Sequence, residues 1–331
     1  MLNKILAPLD SSDLAQRVLP HAQALAKAFQ GEVTLLHVLE MEHRGDATQI
    51  DPISWQMRRA EAQSYLNAVA EAWQGGDVGL ENVLLEGSAA DAILDYVEKN
   101  EPDLIVLSSH GQSGLTQWSL SSVAQKIIYG AYKSFLLVRA RQAEPAERPD
   151  VHYQRIMVPL DGSKRAEYVL PLAVQLAQAQ GARLLLVHAI SQPDLVPQQP
   201  LSAEDMELIE RVMHRNRSAA ATYLKQLQAR LGCESETRLL VGRNDADALL
   251  ESLDSDEVDL LILNAHGHSG EGLRPYGSVV SSLIANGSSH LLVVQDLPQH
   301  ALRPAHAQSQ AQLPLRNGAN NGGLSHPVAY G

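Results

Sequence analysis

A single cysteine, Cys233, among 331 residues excludes an internal disulfide and suits a reducing compartment. No His or Lys adjoins it in sequence to lower its pKa, so it reads as a bystander rather than a redox sensor. Aromatic residues make up only 4% of the chain, which leaves the core to Leu, Val, Ile and Ala. Basic residues are in the minority: 26 Lys and Arg against 38 Asp and Glu give a formal net charge of −12. Nucleic acid or an anionic membrane as main partner would call for a basic face, so neither is expected. Nowhere do 18 apolar residues run together, and the opening MLNKILAPLD lacks the charged and apolar regions of an export signal. A soluble, cytoplasmic protein is expected.

What the chain does have is a repeat. Asp103 to Val138 and Val258 to Val294 share one construction, in which His110, Gly111, Ser113, Gly114, Ser122 and Val123 recur as His266, Gly267, Ser269, Gly270, Ser278 and Val279, each 156 positions on. Pro8-Leu9-Asp10-Ser11-Ser12 is answered by Pro159-Leu160-Asp161-Gly162-Ser163 at an offset of 151, which also carries Pro20 onto Pro171. The matched prolines predict a shared helix kink. The change of offset implies a net insertion of five residues, expected in the polar connection 191–201. The chain is long enough for two domains, each with its own core. They are placed at 1–140 and 154–297, with a charged, proline-containing linker at 141–153 and a disordered tail at 298–331, where Gln, Asn, Pro and Gly dominate.

Apolar runs alternate with helical periodicity throughout. Strands are predicted at 3–9, 33–39, 81–85, 104–108 and 135–138, with helices at 13–29, 53–73, 88–99 and 122–129 between them. The second half repeats this order, with strands at 155–160, 183–189, 236–241, 260–263 and 291–294 and helices at 202–231, at 245–253 and opening at 277–278. Near-continuous apolar strands separated by helices imply an α/β protein with mainly parallel sheets covered on both faces.

The repeated loop leaves the carboxyl end of a strand and ends at a helix start. Unpaired backbone N–H groups and the helix dipole there favour an anion such as phosphate. The known fingerprints are missing: no G-x-x-x-x-G-K-[ST] occurs, and Gly270-Glu271-Gly272 lacks the third glycine of a dinucleotide motif. The pattern is His-Gly, nine residues, then Ser-Ser-Val or Gly-Ser-Val. By itself this pattern reads more readily as an ordinary strand-to-helix turn, and the duplication of the whole spacing moves the reading modestly toward a site.

A first strand ending Pro-Leu-Asp with a following Ser, a second strand containing His37-Val38, and the Ser-His-Gly segment resemble the universal stress protein family in both halves, from Met1 to about Asp296. The resemblance implies a Rossmann-like fold (adenine nucleotide alpha hydrolase-like), five strands per unit, and pairing of the two last strands into an intrachain pseudo-dimer, with a homodimer beyond that. It also implies ATP, with or without Mg²⁺, as ligand. ATP-binding members carry Gly-x-x-Gly, nine residues, then Gly-Ser or Gly-Thr. Asn264, His266, Gly267, Gly277, Ser278 and Val279 match with one departure, Asn264. Ser108, His110, Gly111, Ser121, Ser122 and Val123 match with two, Ser108 and Ser121, so the second site is the better candidate. By the same resemblance Asp10 and Asp161, reached through Pro8-Leu9 and Pro159-Leu160, contact the ribose, and Val38 and Ala189 line the adenine pocket. The other readings are that each Asp caps the first helix and that Val38 and Ala189 are core residues.

His110 and His266 invite a catalytic role and His266-x-His268 a metal, but no substrate proton and no third ligand can be named, and a loop-anchoring imidazole is the better reading. His300, His306 and His326 lie too far apart to suggest a metal site, and Trp118 reads as a packed anchor. No catalytic or metal residue is assigned. The expected function is an ATP-binding stress-response protein whose nucleotide shifts a conformational or assembly equilibrium; a nucleotide-free interaction module and a slow ATPase are the alternatives.

Overall fold

In a computed structural model the described residues are 2–40, 52–73, 76, 78–110, 120–139, 151–191, 202–255, 257–268 and 274–297. Gly111, Trp118, most of the expected linker and the tail from 298 lie outside them. The first half runs β1 (Lys4–Leu9), α1 (Asp13–Gln16), α2 (Val18–Phe29), β2 (Glu32–Leu39), α3 (Pro52–Glu71), β3 (Leu80–Glu86), α4 (Ala89–Asn100), β4 (Leu104–Ser108), α5 (Ser122–Ala131) and β5 (Ser134–Val138). The second half repeats this as β6 (Arg155–Pro159), α6 (Lys164–Glu167), α7 (Leu170–Gln180), β7 (Arg183–Ser191), α8 (Ala203–Gln228), β8 (Ser235–Gly242), α9 (Asp245–Ser255), β9 (Leu260–Asn264), α10 (Ser278–Asn286) and β10 (His290–Val294).

All ten strands join in one sheet, ordered β3-β2-β1-β4-β5-β10-β9-β6-β7-β8. Every pairing is parallel except the central one, where β5 and β10 run antiparallel with Leu291, Leu292 and Val293 opposite Leu137, Leu136 and Phe135. Each strand thereby covers an edge that the other half would leave open. In each half the order reverses beside the first strand, between β1 and β4 and between β6 and β9, which opens a crevice at the carboxyl ends of those strands.

Two apolar layers hold the sheet, one on each face, and both run through the two halves. Leu104, Val106, Leu136, Val138, Ile156, Val158, Leu292 and Val294 belong to one layer. Their sequence neighbours Ile105, Leu107, Phe135, Leu137, Met157, Leu291 and Val293 belong to the other. This is the period of two expected of strands buried on both sides. The outermost strand β3 is only partly buried along its length, whereas β5 is buried throughout.

The pseudo-dimer is tied by side chains that cross it. Arg139 donates from Nη2 to the carbonyls of Leu283 (2.9 Å) and Ile284 (2.6 Å) in the last turn of α10, where a cation complements the helix dipole. Burial lowers its guanidinium to about 10. In the other direction the buried Tyr276 hydroxyl donates to the carbonyl of Ile128 in α5 at 2.9 Å. His21 and Tyr153 meet at 2.7 Å, and the ring of His21 lies 4.4 Å from that of His290.

The shared interruption expected from the matched prolines is present: the first helix divides at Arg17 into α1 and α2, and in the second half at Tyr168–Val169 into α6 and α7. α1 ends at Gln16 and α6 at Glu167, four residues before Pro20 and Pro171, whose missing N–H leaves those carbonyls without a helical donor. One expectation is corrected. The inserted residues are not in the connection before α8. That helix itself is longer, at 26 residues against 20 for α3.

Candidate functional site

A cavity of about 710 Å³ in the second half lies across the carboxyl ends of β9, β6 and β7. Its walls include Pro159, Leu160, Asp161, Ala189, Asn264, His266, Gly267, Gly277, Ser278 and Val279, so the fold brings together all ten second-half residues singled out in the sequence.

Asp161 ends β6. Gly162 follows in the left-handed region, at φ 83°, which turns the chain so that the Ser163 N–H reaches Asp161 Oδ1 at 2.9 Å. Ser163, not Asp161, caps the helix, its hydroxyl accepting from the Ala166 N–H at 3.0 Å. The other carboxylate oxygen accepts the N–H of His268 at 2.6 Å. Burial would raise the Asp161 carboxyl, but hydrogen bonds from Ser163 and His268 outweigh it and hold the group below its usual range. Gly267 is required here, because a Cβ at that position would collide with the Asp161 carboxylate.

His266 secures the same loop. Its Nε2 donates to the carbonyl of Arg274 at 2.9 Å and its Nδ1 lies 2.9 Å from Asp296, which also accepts from Arg165 Nε at 2.7 Å. Burial raises the Asp296 carboxyl, and His266 and Arg165 together bring it below the usual value. With both nitrogens engaged by protein, the imidazole acts as a loop anchor. Asn264 adds a donor bond from its side chain to the His266 carbonyl at 2.9 Å.

The loop closes when the Gly277 N–H donates to the carbonyl of Ala265 at 2.9 Å, and α10 begins immediately afterwards. Its first turn adjoins the cavity through Gly277, Ser278, Val279 and Val280, and among the described residues no side chain caps it. Among the described residues a Cβ on Gly277 would touch only the Ala265 carbonyl, at 3.6 Å, an ordinary contact.

The first half repeats the frame with different fittings. The Ser121 N–H donates to the Ser109 carbonyl at 2.9 Å, as Gly277 does to Ala265, but the Ser121 hydroxyl then accepts the Ala124 N–H at 3.1 Å and caps α5 itself. Asp10 accepts from the Ser12 N–H at 3.1 Å and hydroxyl at 2.5 Å, and Ser12 caps α1. His110 Nδ1 lies 2.9 Å from the hydroxyl of its neighbour Ser109, and the His110 N–H donates to Ser108 Oγ at 3.4 Å. Ser122 and Val123 open α5, Pro8 and Leu9 end β1, and Val38 is buried in β2.

The cavity residues that escaped the sequence reading include His188, Asn216, Tyr223 and Asp245. His188 had a signal, since the offset of 151 matches it to His37, whose Nδ1 donates to the Leu9 carbonyl at 2.8 Å. Asn216 and Tyr223 sit on the long helix α8, and nothing local marks the turn that faces the sheet. Tyr223 donates to Glu167 at 3.1 Å. Burial lowers the His188 imidazole, partly offset by Asp161 and Asp245. Among the described residues no three His, Cys, Asp or Glu side chains form a metal-binding group. No helix among the described residues is long and apolar enough to cross a membrane.

Comparison with known proteins gives the same two-part division. The family model described as the universal stress protein family matches residues 1–139 and again 152–295. A universal stress protein of Methanocaldococcus jannaschii is 30% identical over 148 residues, which is 44% of this chain and 86% of the relative. Among solved structures, a universal stress protein of Archaeoglobus fulgidus is similar over 89% of this chain and 99% of its own, at 18% identity and a TM-score of 0.59. A functionally unknown protein of Pseudomonas aeruginosa is similar over 91% and 94%, at 15% identity and a TM-score of 0.63. At these identities the structures speak for the fold, and the twofold match of the family model carries the assignment: the chain belongs to the universal stress protein family and carries two of its domains in tandem.

Proposed function

We propose that the protein binds an adenine nucleotide, ATP with Mg²⁺, in the second-half cavity and acts in the cytoplasm as a nucleotide-dependent switch of conformation or assembly, including homodimerisation. The observation that carries this reading is the uncapped N-terminus of α10 beside Gly267 and Gly277, at one end of a cavity that continues past Asp161 to the small apolar wall at Ala189. In this reading phosphates lie at α10, the ribose hydroxyls donate to Asp161, and the base lies against Ala189. The functional units are 1–140 and 154–297, and the first acts as a nucleotide-free scaffold, because Ser121 already satisfies a donor that a phosphate would use.

The switching part requires that nucleotide bind two states differently. The test is to denature the purified protein, identify released nucleotide by chromatography, and titrate the emptied protein with ATP and Mg²⁺. About one equivalent per chain is expected. Less than about a tenth of an equivalent, together with no binding up to ~1 mM ATP, rules the proposal out, since cellular ATP would then leave the site empty. Sedimentation with and without ATP tests the assembly part.

A further inference from the structure

We propose that the second-half cavity selects its nucleotide by charge, accepting a nucleoside monophosphate, or a triphosphate neutralised by a divalent cation, and disfavouring the free triphosphate. This rests on the nucleotide reading above and specifies the ligand class. Among the described residues that line the cavity none is Lys or Arg, while two, Asp161 and Asp245, are acids. Residues 192–201 and 269–273, which adjoin the cavity walls in sequence, contain no Lys or Arg either. Arg165 is committed to Asp296 at 2.7 Å, and Arg274, which presents its carbonyl to His266, is not among the lining residues.

Both nitrogens of the lining residue His266 are already held, by Asp296 and by the Arg274 carbonyl, so among the described residues the positive potential left for a ligand comes chiefly from the first-turn N–H groups of α10 and its dipole, worth about half a charge and confined to the first turn. That suits one phosphate. Each further phosphate of a free triphosphate adds charge with no cation to meet it, in a cleft where water screens poorly and two carboxylates already repel it. The two acids lie in sequence across the sheet: Asp161 at the end of β6, and Asp245 at the start of α9, its Oδ1 accepting the hydroxyl of Ser191 at the end of β7 at 3.0 Å. His188 lies within electrostatic reach of both, but burial lowers its pKa and keeps it from serving as a compensating cation at neutral pH.

The experiment is calorimetric titration of the nucleotide-free full chain with AMP in EDTA, ATP in EDTA, and ATP in excess Mg²⁺. AMP is expected to bind about tenfold more tightly than ATP in EDTA, with Mg²⁺ recovering about that factor for ATP. Asp245→Asn, which keeps an acceptor for Ser191, should tighten ATP in EDTA about threefold while leaving AMP within about twofold. ATP in EDTA binding as tightly as AMP, or an unchanged ATP-to-AMP ratio in Asp245→Asn, overturns charge selection and leaves nucleotide binding standing. No binding of any of the three overturns the nucleotide reading and this inference with it.

Discussion

The two helix N-termini that end the repeated loop, at Ser121 and at Gly277, are closed by the same backbone bond and differ in how the helix then begins. In the first half a hydroxyl caps the helix; in the second, among the described residues, no side chain does. The loop supports differ as well. His266 is held by Asp296, which is held by Arg165, whereas the first-half counterparts of Arg165 and Asp296 by the repeat offsets are Leu14 and Ala140. Duplication preserved the sheet, where any change disturbs packing on both faces, and let the loops drift, where it does not. The comparison teaches that a shared fold and spacing do not make two equal sites.

The largest expected effect breaks the comparison directly. Gly277→Val, at φ −69° and with only an ordinary Cβ contact among the described residues, should keep the fold and fill the cradle, weakening nucleotide binding at least about a hundredfold in a titration, close to complete loss. Ser121→Val should leave binding unchanged and cost about 1 kcal/mol of stability through the lost cap. Equal loss of binding from both would contradict the ranking of the halves.

Where the halves meet, the contrast should vanish. Leu136 and Leu292 are register partners and fully buried, so truncating either to Ala should cost about 2–5 kcal/mol and lower one common urea transition. Two separate transitions would show that the halves fold independently.

Asp296→Asn should act on the second half only. It removes the charge between His266 and Arg165 and is expected to cost about 1.5–3 kcal/mol and to increase amide exchange in the 265–268 loop, with the 108–110 loop unaffected.

The pH dependence probes the junction. Burial and the neighbouring His290 hold His21 well below 6.5, and burial lowers His188 in the cavity wall. The unfolded chain takes up protons below about pH 6.5 that the folded chain refuses, so stability is full above that pH and declines beneath it. Going to pH 5.5 should cost about 1.4 kcal/mol for His21 alone, measured by urea unfolding, and His21→Gln should remove that part. An unchanged slope in His21→Gln would refute the assignment. The smallest effect is at the turn after the first strand of each half. Ser11 stands at φ 65° where the second half has Gly162, so Gly162→Ser should cost about 1 kcal/mol and Ser11→Gly should be neutral or slightly stabilising.

The repeat and the alternation of strands with helices were legible in the sequence, because period and offset are local properties of the chain. So was the gathering of Asp161, Ala189, Gly267 and Gly277, since all four lie at strand ends or a helix start and a parallel sheet collects those at one edge. The interruption of the first helix in each half was legible too, because a proline removes one helical hydrogen bond wherever it stands. The insertion was misplaced because a polar connection tolerates extra residues and so attracted the assignment, whereas α8 absorbed them within its regular repeat.

Sequence alone determined the class of fold and its duplication, through apolar patterning that admits few other burials. The tertiary structure alone decided that the halves share two continuous apolar layers, that Arg139 and Tyr276 each meet the helix end of the opposite half, and that Asp245 and Tyr223 stand in the cavity wall. Those relations join residues far apart in the chain, and only the closing of β5 against β10 and the docking of α8 and α9 on the sheet bring them into contact.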